Sequence, residues 1–346
     1  MAEPTLSAVI TCYKDALAVL PMHARLTQVF VSLGVNYEIV FVNDASPDAA
    51  DAILKELAAM DARVLVIEHS RNFGSQNAFV SGMQLTTGDA VVLLDGDLQD
   101  PPELIAAFYA KWREGYDVVY GRRVAREGSV FLALGARAFY RVFRCLSDVP
   151  MPLDAGDFAL MDRKVVNALL ALPETDQFLR GLRAWVGFTQ TGVDYVRPER
   201  AFGRSTHSFL KNVWWARKGI FSFTFAPIEA LGYAGGALAI GSLGALVYLF
   251  VDALLRPEVP HGTPTIIATI VFVGSLNLLA VSVVGEYLIK IFEEVKRRPK
   301  FIRKAIRHGS AHYVTAAEIE EFSRRRSRGT GSERRLDGGA LGGNEG

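Results

Sequence analysis

Cysteine is almost missing from this chain of 346 residues, which holds only Cys12 and Cys145. Two cysteines cannot build a disulfide scaffold, and such scarcity fits a reducing compartment. Net charge is missing as well. Lys and Arg number 38 against 37 Asp and Glu, leaving +1, so no overall field calls for nucleic acid. Six histidines show no metal-ligand spacing, and neither cysteine sits in a motif. No Gly-x-Gly-x-x-Gly follows the first strand-like run, which speaks against a dinucleotide oxidoreductase. No Gly-x-x-x-x-Gly-Lys-Ser/Thr is present either. The 31 glycines follow no short period, which excludes a collagen-like chain. Met1-Ala2-Glu3-Pro4 opens without a basic stretch and apolar core, so no signal peptide is expected.

Charge is also absent locally. The overall composition, 50% hydrophobic and 22% charged, falls in the soluble range. Yet no Asp, Glu, Lys or Arg occurs in the 22 residues from Ala230 to Val251, nor in the 27 from Val259 to Gly285. A spanning helix needs about 20 apolar residues, so both runs are long enough. Only Arg256-Pro257-Glu258 and a few neighbours separate them, which predicts a hairpin with both ends on one side. Lys211, Arg217 and Lys218 precede it; Lys290, Lys296, Arg297, Arg298 and Lys300 follow it. By the positive-inside rule both ends are cytoplasmic, with Trp214 and Trp215 at the interface.

Before about residue 200 the pattern is different. Apolar runs at Ser7–Ile10, Glu38–Val42, Val64–Ile67 and Ala90–Leu94 alternate with helical periodicity over 16–33, 49–60 and 77–85. That alternation predicts an α/β domain with a largely parallel sheet, which binds ligands beyond the carboxyl ends of its strands. Residues 130–147 form a basic amphipathic segment, placed either on the membrane surface or against the first domain. The expected organisation is a catalytic domain over 1–200, a juxtamembrane segment over 201–226, and a transmembrane hairpin over 227–292. A basic cytoplasmic helix over 293–321 and a disordered Gly-rich tail over 322–346 complete it.

Acids at strand ends carry the chemistry. Val91-Val92-Leu93-Leu94 runs into Asp95-Gly96-Asp97-Leu98-Gln99-Asp100-Pro101-Pro102-Glu103. Two carboxylates one residue apart suit Mg²⁺, which binds one or two carboxylates together with substrate phosphates, and Gln99 adds a neutral oxygen. Asp44 follows the second strand and either meets a ligand or caps the next helix. Arg71-Asn72-Phe73-Gly74 follows the third. In Gly156-Asp157-Phe158 the glycine allows close backbone approach to a ligand. Arg122, Arg123, Arg126, Arg197, Arg200 and Arg204 supply guanidinium forks suited to phosphate.

The order Val42-Asn43-Asp44, Arg71-Asn72-Phe73-Gly74, Asp95-Gly96-Asp97-Leu98-Gln99-Asp100-Pro101-Pro102-Glu103, Gly156-Asp157-Phe158 and Gly285-Glu286-Tyr287 resembles the polyprenyl-phosphate glycosyltransferases of glycosyltransferase family 2. The likeness covers about residues 5–305. It implies a GT-A-type nucleotide-sugar-binding domain with amphipathic interface helices and a C-terminal two-helix transmembrane hairpin. It implies inverting, metal-dependent transfer of a sugar from a nucleotide sugar, most simply a UDP-sugar, to a polyprenyl phosphate. Donor contacts would come from Tyr13, Asp15, Asp44, Arg71, Asn72 and Asp95. Asp95, Asp97 and Gln99 would surround Mg²⁺ or Mn²⁺, with Asp97 and Asp157 catalytic. Arg123, Arg126, Arg200, Arg204 and Ser205 would hold the acceptor phosphate. Family members of this branch imply a homotetramer at the inner face of the cell membrane, and no nucleic-acid partner.

The sequence departs from the family pattern in places. Ile10-Thr11-Cys12-Tyr13-Lys14-Asp15 stands for the usual Ile-Pro-x-Tyr-Asn-Glu, Asp44-Ala45-Ser46 for Asp-Gly-Ser, and Gly203-Arg204-Ser205-Thr206-His207 for Gly-x-Ser-Lys-Tyr. Two other readings compete. A processive polysaccharide synthase would carry Gln-x-x-Arg-Trp, whereas Gln177-Phe178-Leu179-Arg180-Gly181 lacks the Trp. A non-catalytic membrane scaffold would not need the intact Asp-x-Asp.

Overall fold

A computed structural model describes residues 4–123, 155–174, 177–196 and 263–328, with isolated helical positions between 228 and 255. Its chain divides into two units. The first gathers 1–134, 150–206 and 298–346; the second holds 135–149 and 207–297.

The first unit opens on β1 (Thr5–Cys12), α1 (Ala16–Leu33), β2 (Asn36–Asn43), α2 (Ala50–Met60), β3 (Val64–His69), α3 (Ser75–Met83) and β4 (Ala90–Asp95). These agree with the expected strand–helix alternation to within a few residues. The strands read as unbroken apolar runs because helices cover both sheet faces, so nearly every strand residue is buried. α1 ends at Gly34, whose φ of 65° supplies the left-handed cap.

After a 3₁₀ turn at Pro102–Leu104 come α4 (Ile105–Arg113), β5 (Val118–Arg123), β6 (Ala155–Asp162), α5 (Arg163–Ala171), α6 (Leu179–Trp185) and β7 (Gln190–Tyr195). The second unit contributes α7 (Thr263–Lys296). The chain then returns to the first unit as β8 (Arg303–His308), β9 (Ala311–Tyr313) and α8 (Ala316–Arg328).

Among the described residues the sheet has the order β7-β5-β6-β4-β1-β2-β3-β8-β9. It is mixed: β1 is parallel to β2 and β4, and β2 to β3, whereas β6 runs antiparallel to β4 and β8 antiparallel to β3. The connection reverses direction around β1, between β2 and β4. That is the switch point where open α/β sheets bind ligands outside the strand carboxyl ends. The antiparallel run of β6 brings its beginning to the same edge. Ala90 faces Asp162 and Leu93 faces Ala159, and continuing this register sets Asp157 across from Asp95.

The carboxyl-terminal part corrects the expected organisation. Residues 293–321 are not one helix: α7 stops at Lys296, and β8 and β9 extend the sheet beyond β3. The disordered tail expected from 322 begins instead as the last turns of α8. Arg324 and Arg325 pair with Glu320 and Glu321 one turn earlier, while Arg326 turns inward to Glu38 (2.6 Å). A local charge run hides these partners.

Two helices among the described residues are long and apolar enough to cross a membrane. One is α1, whose inward face supplies Val19, Met22, Leu26 and Phe30 to the core. The other covers Phe272–Lys296 of α7, where Leu278, Val281, Leu288, Ile291 and Phe292 are all exposed. The amphipathic segment 130–147 and the juxtamembrane segment 201–226 lie outside the described residues.

Candidate active site

The acids of the Asp-x-Asp turn close β4. Gly96 between them donates its N–H to the Thr11 carbonyl (2.9 Å), and a Cβ there would stand 2.6 Å from that oxygen. Only glycine lets the turn lie against β1 so closely. Asp97 is buried and its Oδ1 accepts the Gln99 N–H at 3.1 Å, which folds the turn onto itself. Thr11 Oγ1 reaches Asp95 Oδ1 at 3.5 Å. Cys12 lies beside this turn; burial pushes its thiol up, so it remains protonated and is no nucleophile.

Asp157 stands on the first residues of β6 with both oxygens engaged. Arg180 Nε donates to Oδ1 at 3.1 Å, and Gln76 Nε2 to Oδ2 at 2.9 Å. Gln76 in turn accepts the Leu179 N–H (2.9 Å), so one amide ties α3, α6 and β6 together. Arg183, on the same helix as Arg180, is buried and reaches the Gly156 carbonyl at 3.3 Å. Burial pulls its pKa down to about 10, which still leaves it charged at neutral pH. A Cβ on Gly156 would meet Arg123 Nη2 at 3.1 Å. The close approach expected at this glycine is therefore made by a guanidinium of the chain itself.

Arg123 ends β5 and is fixed by Tyr195 of β7, whose hydroxyl accepts from Nε at 3.1 Å. That hydroxyl donates to buried Asp100 (2.5 Å), which also lies 3.8 Å from Arg123 Nη2. Burial opposes the charge of Arg123, but Asp100 and Tyr195 outweigh it and its pKa is raised. Burial and Asp100 push Tyr195 up to about 12, so it keeps its proton.

On the other side of β1, Asp44 neither caps α2 nor lies open. That cap role falls to Asp48, which accepts from Ala50 N (3.1 Å) and also from Ala16 N (2.9 Å) at the start of α1. Asp44 is buried and accepts the N–H groups of Phe73 (2.9 Å) and Gly74 (2.8 Å), with His69 Nδ1 at 2.7 Å. It thereby pins the Arg71–Gly74 loop over the end of β2. Asn72 Oδ1 accepts the Gly74 N–H within that loop, and Arg71 lies exposed across the Phe73 ring at 4.0 Å. Tyr13 is 40% exposed at the mouth of β1, and Asp15 accepts its N–H at 3.4 Å.

Tyr13, Asp15, Asp44, Arg71, Asn72, Asp95, Asp97, Gln99, Arg123 and Asp157 thus all occupy the loops and strand ends along one edge of the sheet. Arg126, Arg200, Arg204 and Ser205 lie outside the described residues. Sequence reasoning missed Gln76, His69, Asp100, Arg180 and Tyr195. Of these only Arg180, as the arginine of Gln177-x-x-Arg180, and Asp100, inside the Asp95–Glu103 block, carried a signal.

The family model for glycosyl transferase family 2 matches residues 7–170. An uncharacterized glycosyltransferase, YkcC, of Bacillus subtilis is 40% identical over 298 residues, 86% of this chain and 92% of the relative. The SfII prophage-derived bactoprenol glucosyl transferase of Shigella flexneri is 35% identical over 88% of this chain and 99% of its own. Among solved structures, the mannosyltransferase PcManGT from Pyrobaculum calidifontis aligns over 83% of this chain and 88% of that one, at 17% identity and a TM-score of 0.42.

Proposed function

Because the chain belongs to glycosyl transferase family 2 and is a glycosyltransferase, we propose that it moves a sugar from a nucleotide-sugar donor, a UDP-sugar by preference, onto a polyprenyl phosphate. The observation that carries this reading is the meeting of an Asp-x-Asp turn, the Asp157–Arg180 pair and the half-buried Arg123 at one sheet edge. The chain's likeness to the bactoprenol glucosyl transferases supports the acceptor class.

A divalent ion, Mg²⁺ or Mn²⁺, fits the residues. Asp95, Asp97 and Gln99 offer hard oxygen donors; among the described residues no three acids, histidines or cysteines gather closely enough to hold an ion by themselves, so further ligands would have to come from the substrate. The donor's diphosphate would supply them, as substrate phosphates commonly do for Mg²⁺. When bound, the ion would offset charge on the leaving diphosphate as a Lewis acid.

The chain's own residues do the rest. An acceptor phosphate monoester has a second pKa of about 6 and is mostly dianionic at neutral pH. Its oxygen attacks the anomeric carbon, the carbon–oxygen bond to the diphosphate breaks, and the nucleoside diphosphate leaves with the electron pair. Arg123, held rigid by Tyr195 and Asp100, orients the acceptor phosphate. Asp157, held by two donors, orients the sugar rather than collecting a proton. A single displacement inverts the anomeric carbon.

The exposed apolar face of α7 supports a membrane span. At 1.5 Å per residue its 34 residues reach about 51 Å, more than the roughly 30 Å hydrocarbon layer. With the charge-free run 230–251 it would form the hairpin, keeping the enzyme at the cytoplasmic face of the inner membrane where a lipid acceptor resides. A homotetramer is part of the same reading.

The deciding experiment is a panel of radiolabelled nucleotide sugars with undecaprenyl phosphate and Mg²⁺ or Mn²⁺ in membranes. One donor should label the lipid with inverted configuration. The Asp97→Ala variant should lose at least 100-fold in turnover while its melting midpoint stays near that of the parent. Near-normal turnover in that variant, or retained configuration in the product, overturns the mechanism.

A further inference from the structure

His69 is the last residue of β3, and its side chain is fully buried. Its Nδ1 lies 2.7 Å from Asp44 Oδ1, and a carboxylate only accepts, so the proton between them belongs to Nδ1. Its Nε2 is buried with no hydrogen-bond partner. A buried polar atom without a partner is costly, so something else must hold the ring in place. Two aromatic rings do so. Phe301 stacks on the imidazole at 5.5 Å with 6° between planes, and Phe73 meets it edge-on at 5.6 Å and 88°.

Phe301 arrives from far along the chain, just before β8. Ser70 donates its N–H to the Ile302 carbonyl at 3.0 Å, and the β3–β8 register shifts between Glu68 and His69. That irregularity lies at the position of the imidazole. The ring therefore connects two features: the returning carboxyl-terminal segment on one side, and the carboxylate that holds the Phe73 and Gly74 amides on the other.

We propose that His69 is a positioning residue of the donor pocket: its Nδ1–H orients the Asp44 carboxylate, and through it the Arg71–Gly74 loop, while Phe301 holds the plane of the imidazole. This rests on the reading that Asp44 and that loop face the nucleotide. The enzyme's donor side is then completed by residues that follow its last apolar helix. The unpartnered Nε2 is the consequence of a ring placed for its other nitrogen.

The test uses the full chain in detergent. Asparagine presents an N–H near the place of Nδ1, and glutamine near that of Nε2. His69→Gln should speed hydrogen exchange at the Phe73 and Gly74 amides about tenfold or more, the factor expected when a charge-assisted hydrogen bond is lost. His69→Asn should stay within about threefold of the parent. Binding of UDP with Mn²⁺ should follow the same order. Equal behaviour of the two variants, or faster exchange spread evenly over β2 and β3, overturns the proposal. If His69→Gln fails to fold, Phe301→Leu decides. It keeps apolar volume but removes the stacking face, and unchanged exchange at Phe73 and Gly74 would count against us. Asp44→Asn separates the two readings. Unaltered UDP binding in that variant refutes the nucleotide contact, while the exchange data still judge His69.

Discussion

Lys14, Ala45 and Leu98 hold φ of 65°, 53° and 60°, in the left-handed region that L-residues avoid. Each follows one of the parallel strands bordering the crevice: β1, β2 and β4. Strain of this kind collects where the fold must aim side chains at a ligand. Ala45 stands where the family pattern has glycine, so Ala45→Gly should raise stability by about 0.5–1 kcal/mol, read as a higher midpoint of thermal unfolding. An unchanged or lower midpoint would show that the surrounding turn, with Ser46 N–H on Asn43 Oδ1, already absorbs the strain. At this scale the sequence named the acids of the candidate site but not their partners. Asp44, Asp97 and Asp157 are legible because each ends or begins an apolar run. Gln76, His69 and Tyr195 are ordinary helix or strand residues in sequence, and only their contacts distinguish them.

Among elements, the least legible is α8. Its charge-rich sequence, Glu-Ile-Glu-Glu-Phe-Ser-Arg-Arg-Arg, looks like a solvated segment. Yet Arg326 donates to Glu38 and to the Leu85 carbonyl (2.7 Å), with only 17% of its side chain exposed. Glu38 is buried in β2 and also accepts from Ser7 Oγ (2.7 Å) and Thr87 N. Burial works to raise its pKa, but Arg326, Thr87 and Ser7 together carry it below its ordinary 4.5. A lowered folded pKa contributes stability fully present above 4.5 and lost as pH falls through the lower folded value. The melting midpoint should therefore drop on acidification below about pH 4.5, and less steeply in Glu38→Gln. Arg326→Ala should cost about 2–3 kcal/mol near neutral pH, because it leaves Glu38 buried without its cation. Identical acid profiles in parent and Glu38→Gln would remove this pair from the account.

For the whole molecule, the return of the chain to its first sheet matters most. β8 covers β3, which would otherwise present an open edge. Half-buried Arg303 spans from β8 to Ser81 and Gln84 around α3, donating at 2.8–3.1 Å. A chain ended at Arg298 should therefore aggregate, eluting in the void on size exclusion in detergent where the full chain elutes as a discrete species. A discrete peak from the truncated chain would show that the domain before the apolar runs stands alone. The sequence by itself determined what is local: which stretches are strand or helix, where apolar runs exclude charge, and which strand ends carry acids. Side-chain period and run length are written in neighbouring residues, so no partner is needed to read them. Only the tertiary structure decided that β6 runs antiparallel and sets Asp157 across from Asp95, that His69 meets Asp44, and that Arg326 reaches Glu38 across 288 positions. Those contacts depend on strand order and direction, which the closing of the sheet fixes and no single segment records.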